Sequence, residues 1–170
     1  MAPQATKAST SLPPLYRFLL TNVEPVFTLM GILFLLSNPL KYSSMTTREL
    51  VTTLDPAASF VYTQLAGAWY VIAFVEGVLL RQVDDLRVWK LVCMAIVCSD
   101  ALYTHSMAQA VGGWGVFVDL GKWTTNDWIA AVGTVPFVLV RLAIVSGVGA
   151  QSKKVNRGIE LLKVTMSITA

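Results

Sequence analysis

Apolar residues fall into four long blocks, separated by shorter stretches that carry most of the charge, glycine and proline. The blocks lie near Tyr16–Leu36, Phe60–Leu80, Val88–Ala110 and Asp127–Gly147. Each is close to the length of about 20 mostly apolar residues that crosses a bilayer as a helix. The pattern predicts an all-α membrane protein, a bundle of four transmembrane helices. The third block is the least apolar and needs its neighbours for insertion.

The connections carry their own signals. Thr46-Thr47-Arg48-Glu49 reads as a capping box, which predicts a short surface helix running to Leu54. The link from Arg81 to Arg87 is tight and charged. The link from Gly112 to Asn126 is apolar, aromatic and punctuated by glycine. It reads either as a lid dipping into the interface or as a simple interfacial connector. Met1–Pro14 is rich in Ala, Ser, Thr and Pro, without the regions of a signal peptide and too poor in arginine for a mitochondrial presequence. It is expected to be a flexible tail, ahead of a membrane domain over residues 15–150. In 151–170, Val155, Ile159, Leu162 and Met166 share one helical face opposite basic residues. This predicts an amphipathic tail on the cytoplasmic surface.

Composition agrees with the pattern. The 170 residues are 55% hydrophobic and 14% charged, against about 25% charged in soluble domains. The net charge of +3 comes from scattered residues, which argues against nucleic-acid binding. Lys7, Arg17, Arg81, Arg87, Lys90, Lys153, Lys154, Arg157 and Lys163 fall on one side of the spans; Lys41, Arg48 and Lys122 fall on the other. The positive-inside rule then predicts that both termini are cytoplasmic. The expected location is the endoplasmic reticulum membrane. Tyr16, Tyr42, Trp89, Trp114, Trp123 and Trp128 suit the two interfaces. Cys93 and Cys98 read as small apolar fillers. No P-loop, GxSxG, HExxH or CxxC motif occurs, and His105 is the single histidine. Neither a metal nor another cofactor is expected.

The candidate chemistry lies in the polar groups at membrane depth, each costing about 2.5–3.5 kcal/mol on insertion scales. They are Asn22 and Glu24 in the first span, Gln64 and Glu76 in the second, Asp100 and His105 in the third, and Arg141 in the fourth. At about 1.5 Å of rise per residue, Glu24, Glu76 and Arg141 share a layer in the cytoplasmic half, with Asp100 just beyond it. Helical spacing aligns Thr28 and Gly31 with Glu24, Trp69 and Ala73 with Glu76, Tyr103 and Thr104 with Asp100, and Thr134 and Phe137 with Arg141. If these faces converge, they enclose acids, aromatic rings and one guanidinium. Pro25 and Pro136 are expected to kink their helices beside the layer. Three carboxyl groups against one arginine predict that at least one acid is protonated or solvated. Plainer roles stand beside this: Glu24 or Glu76 as a structural ion pair with Arg141, Glu76 snorkelling to the surface, His105 as a polar bundle residue, and Trp69 and Tyr103 as packing.

Tyr16-Arg17, Glu24-Pro25, Glu76 to Leu80-Arg81, Asp85-Leu86-Arg87-Val88-Trp89-Lys90 and Asp100 together resemble a fungal family of short four-span integral membrane proteins, over roughly Pro14–Val148. That family has no assigned activity, so the resemblance implies architecture. The layout is more distantly similar to fungal membrane terpene cyclases, which use intramembrane acids to protonate an epoxide or alkene. It is also similar to the sterol isomerase and sigma-2 receptor superfamily, where acids and aromatics cradle a sterol or amine. This is likeness of layout.

The expected function is acid-initiated cyclisation or isomerisation of a lipophilic terpenoid or prenylated substrate. Glu76 or Asp100 would donate the proton, Glu24 and Arg141 would hold the charge state, and His105 would take the last proton. Trp69, Tyr103 and Phe137 would face a carbocation. The alternatives are a non-catalytic lipid-binding or scaffold protein and a small oligomeric channel. Expected partners are membrane lipids, a lipophilic small molecule and, compatibly, further copies of the chain.

Overall fold

The computed structural model describes residues 6–149. Four helices dominate it: α1 (Pro14–Ser37), α2 (Pro56–Gln82), α3 (Leu86–Ala110) and α4 (Thr125–Ser146). All four are long and apolar enough to cross a membrane. Each expected span is found, extended by a residue or more at most ends. The predicted amphipathic helix over 151–170 lies outside the described residues.

Packing is densest within two pairs, α1 against α2 and α3 against α4. Large apolar side chains such as Leu33, Leu102 and Val132 point away from the bundle, as lipid-facing groups do. Leu20, Leu80, Trp89, Cys93, Phe137, Val140 and Ile144 form one buried cluster. Ile32, Leu35 and Ala66 form a second, backed by Tyr42, Tyr62 and Trp69. Both described ends meet at the first cluster's end of the bundle: a Cβ built on Gly149 would lie 3.3 Å from Pro13 and 3.4 Å from the Tyr16 hydroxyl.

Two of the helices contain a π-turn, Leu19–Val23 in α1 and Val75–Leu79 in α2. Pro25 explains the first. It has no N–H to give the carbonyl of Thr21, four residues earlier, so the regular ladder breaks there. The expected kink thus takes the form of a wide turn. Helix α4, by contrast, continues as α-helix through Pro136.

Residues 6–14 do not behave as the flexible tail their composition predicts. Ala8–Ser11 forms one helical turn, and Ala8 and Leu12 are buried in the first cluster. The Leu86 N–H donates to Thr6 O (2.9 Å), and the Ala8 N–H donates to Asp84 O (3.2 Å). The Ser9 hydroxyl and backbone N–H both donate to the Asp84 carboxylate at 2.6 Å. Two buried apolar side chains and a carboxylate receptor outweigh the strap's polar composition. The Ser9 hydrogen bonds hold the exposed Asp84 carboxyl below the usual carboxylate range. A lowered folded value means that Asp84 supports the strap above the ordinary aspartate range and loses that support as pH falls through the folded value. We expect Asp84→Ala to raise amide exchange across residues 6–12 at neutral pH, and wild type to show the same loosening only in acid. Equal exchange in both proteins at neutral pH would exclude Asp84 as the anchor.

A second expectation fails at Thr46–Glu49. These residues end a helix rather than start one: the surface helix is Pro39–Thr46, opened by Pro39 at its first position. The Thr46 and Thr47 hydroxyls donate back to Ser43 O, and Arg48 and Glu49 turn the chain with φ of 51° and 67°. The capping box that forms is at α4, where Thr124 and Asp127 cap each other reciprocally.

Candidate functional site

Arg141 stands at the centre of the bundle with only 1% of its side chain accessible. Its fork is used on three sides. Nε and Nη2 both donate to Glu76 Oε1, at 3.1 and 2.9 Å. Nη2 also donates to Glu24 Oε1, and Nη1 donates to Asp100 Oδ2 at 2.7 Å. Each helix therefore contributes one charge, and the centre ties the α1–α2 pair to the α3–α4 pair. The shared layer of Glu24, Glu76 and Arg141 is as the rise per residue predicted, and Asp100 reaches into it. Glu76 does not snorkel: it is fully buried, because Arg141 offers its carboxylate a partner inside the bundle.

Local backbone chemistry delivers the acids. Glu24 follows the π-turn of α1 and Glu76 lies within that of α2. Such turns rotate the following residues relative to a regular helix and recur at functional sites. The two turns face each other across a tight contact: a Cβ on Gly77 would come 3.2 Å from Pro25 Cβ. Arg81 closes the contact. Its Nη2 and Nε donate to the Thr21 carbonyl at 2.6 and 3.2 Å, and Nη2 donates to Asn22 Oδ1 at 2.6 Å. The carbonyl that Pro25 deprives of its helical partner is thus satisfied from α2. Sequence reasoning placed Arg81 in a loop and missed this role, although its signal was present: a proline frees the carbonyl four residues earlier. We expect Arg81→Ala to destabilise the protein by about 1–3 kcal/mol, the cost of an unsatisfied, partly buried acceptor. Denaturant unfolding in micelles measures it, and a change too small to detect would mean that the carbonyl finds water instead.

A cavity of about 260 Å³ opens beside the centre. Glu24 and Asp100 supply its acidic wall, and Phe27, Trp69, Tyr103 and Phe137 supply aromatic walls. Trp69 stands edge-on between Tyr42 and Tyr103, with centroids 5.9 and 6.1 Å away. Of the residues expected to bind substrate, Trp69, Tyr103 and Phe137 line the cavity, while Arg141 lies behind the acids. Of the expected acids, Glu24 and Asp100 line it and Glu76 does not. Glu24 Oε2 and Glu76 Oε2 are buried without a hydrogen-bond partner. Gln64 is on the outer surface, away from the centre.

His105 is not brought to the acids. It is exposed, stacks on Trp114 at 5.9 Å, and accepts a hydrogen bond at Nδ1 from Trp114 Nε1 (3.2 Å). It lies five residues, about 7.5 Å of helical rise, beyond Asp100. The Gly112–Asn126 link folds as two short helical turns, Trp114–Phe117 and Leu120–Lys122. Phe117 and Trp123 from this link line a second cavity, of about 180 Å³, which shares Tyr103, Ala130 and Thr134 with the first. Arg48 pins the link. Its Nε meets Asp127 Oδ2 at 3.0 Å, and its Nη1 donates to Val116 O at 3.4 Å. This pair was also missed, though Thr124-x-x-Asp127 ahead of an apolar run is a readable cap. Among the described residues, no group of three or more His, Cys, Asp or Glu side chains is arranged to hold a metal.

Four membrane-crossing helices around a buried guanidinium, three carboxyl groups and an aromatic cavity define a polytopic membrane protein with an intramembrane charged centre. The chain belongs to the family described as Domain of unknown function (DUF7704), whose model matches residues 9–151. No curated protein and no solved structure matches the chain.

Proposed function

We propose that the protein is an integral membrane enzyme that protonates a terpenoid or prenylated substrate and so starts its cyclisation or isomerisation. One observation carries the reading: Asp100, held through Oδ2 by Arg141, also lines an aromatic-walled cavity inside the membrane domain. With every carboxyl ionised, three acids against one guanidinium leave the centre at −2, and a proton on one of them relieves the repulsion. Asp100 gives that proton to an alkene carbon or an epoxide oxygen. In the first case the π pair forms the new C–H bond; in the second the C–O bond opens. A neighbouring π bond then attacks the cation and closes the ring. Loss of a proton from carbon to a cavity carboxylate returns the acid cluster to its starting proton count, and transfer of that proton between the carboxyl groups readies Asp100 again, so the substrate isomerises without oxidation or reduction. Phe27, Trp69, Tyr103 and Phe137 offer π faces to the cation. Glu24, which shares the cavity, is better placed than His105 to take the last proton.

In the same reading the described ends face the cytoplasm, from the endoplasmic reticulum membrane of a fungal cell. Lys7, Arg17, Arg81, Arg87 and Lys90 support that orientation, since they lie toward the end of the bundle where the described ends meet. A second reading, a non-catalytic lipid-binding or scaffold protein, is favoured by the pairing of every central acid with Arg141. Membranes containing wild type or Asp100→Asn, incubated with polyprenyl epoxides and polyenes, separate the two. Cyclised product from wild type alone supports catalysis by Asp100. Equal product from both eliminates the acid role. Ligand retention without product from either leaves the binding reading.

A further inference from the structure

We propose that the seam between α1 and α4 is a lateral portal, through which a single-chain lipid with a hydrogen-bond-donating head enters from the bilayer. The proposal takes the inner cavity as the ligand site but depends on no chemistry there. Three features meet at this seam. First, α1 and α4 pack sparsely, while α1–α2 and α3–α4 pack closely. Second, a groove of about 460 Å³ runs along the seam's outer face, walled by Val23, Trp128 and Val132 among other apolar groups. Third, Phe27, Gly133 and Phe137 line both this groove and the inner cavity, so the two spaces share one wall.

That wall is thin. Phe137 is buried and Phe27 is mostly exposed, with ring centroids 6.3 Å apart and planes tilted by 54°. Beside them, a Cβ on Gly133 would meet nothing within 4 Å. Rotation of Phe27 about its side-chain bonds toward the bilayer joins the two spaces without moving a helix. Pro136 further loosens the α4 side, because it withholds the N–H that the Val132 carbonyl would take in a regular helix.

The two spaces set the occupant. The groove offers apolar walls at membrane depth, which suits a hydrocarbon chain already dissolved in lipid. Beyond the phenylalanines stand the Asp100 and Glu24 carboxyl groups, which accept hydrogen bonds. A molecule entering here therefore leads with a donor head, such as a hydroxyl, and leaves its chain in the groove. The second cavity, under Phe117 and Trp123, is the competing route, from the aqueous end.

An isoprenoid alcohol with a diazirine beside its hydroxyl tests the portal in reconstituted bilayers. Illumination should label wild type within Ser99–Tyr103. Gly133→Phe, which plugs the shared wall, should cut that labelling about tenfold or more. Ala131→Phe, which crowds only the second cavity, should leave it within about twofold. Undiminished labelling in Gly133→Phe, or loss in Ala131→Phe alone, overturns the portal. If Gly133→Phe does not fold, the same alcohol with its diazirine at the chain end decides on wild type: labels at Phe27 and Val132 support the portal, and labels confined to Phe117 and Trp123 refute it. Labelling without turnover leaves the portal standing while the enzymatic reading falls, so the two failures are distinguishable.

Discussion

Arg141→Met is expected to destabilise the bundle by about 3–5 kcal/mol, the cost of removing one partner from a buried ion pair. The value belongs at the upper end, because three carboxyl groups lose their donor together. Two are buried, and the third is 17% exposed. Arg141→Lys should recover only part of the loss: one ammonium lacks the planar fork that reaches Glu76, Glu24 and Asp100 from separate nitrogens. Combining Arg141→Met with Glu24→Gln, Glu76→Gln and Asp100→Asn should restore most of the stability, since no buried charge then lacks compensation. Denaturant unfolding in micelles follows all three proteins. Wild-type stability in Arg141→Met would show that the two helix pairs associate without the charged centre.

Asp100→Asn is expected to lower turnover by about 10²–10⁴-fold, the usual contribution of a positioned general acid. Its fold should survive, because the asparagine Oδ1 still accepts from Arg141 Nη1 and the site is partly open to the cavity. Glu76→Gln should behave in the opposite way. Glu76 is fully buried, its Oε1 accepts from both Nε and Nη2, and it does not line the cavity. Weakening those charge-assisted bonds should cost about 1.5–3 kcal/mol of stability, with turnover per folded molecule changed less than in Asp100→Asn. Measuring melting and turnover on the same preparations separates the roles. If Asp100→Asn melts early and Glu76→Gln abolishes turnover without loss of stability, the two assignments are reversed.

The contrast between these acids was only partly legible in the amino-acid order. Rise per residue was enough to put Glu24, Glu76 and Arg141 at one depth, because a helix converts sequence separation into height. It could not say which carboxyl faces a cavity and which lies behind the guanidinium. That depends on the rotation of each helix, and both α1 and α2 are re-phased by a π-turn beside the acid. His105 shows the same limit. It was expected to take the last proton, but its ring is exposed and stacks on Trp114. Residues 6–14 expose a different one: composition reports what a segment can bury, whereas the buried site that takes Ala8 and Leu12, and the Asp84 carboxylate that receives Ser9, are supplied by residues distant in the chain. Arg81 was read as a loop cation because the carbonyl it satisfies belongs to another helix.

By itself the sequence determined that this chain crosses a membrane as four helices, and that it holds more acid than base at depth. Both follow from one-dimensional quantities: the length of apolar runs against the bilayer's thickness, and the cost of each charge within them. The tertiary structure alone decided that one guanidinium gathers all three carboxyl groups, that Glu76 is enclosed while Asp100 meets a cavity, and that the α1–α4 seam is thinly walled. Those outcomes depend on the angles at which helices present their faces and on which pairs pack tightly. Burial strengthens each resulting contact, since in a low-dielectric interior a charge must find its partner within hydrogen-bonding reach.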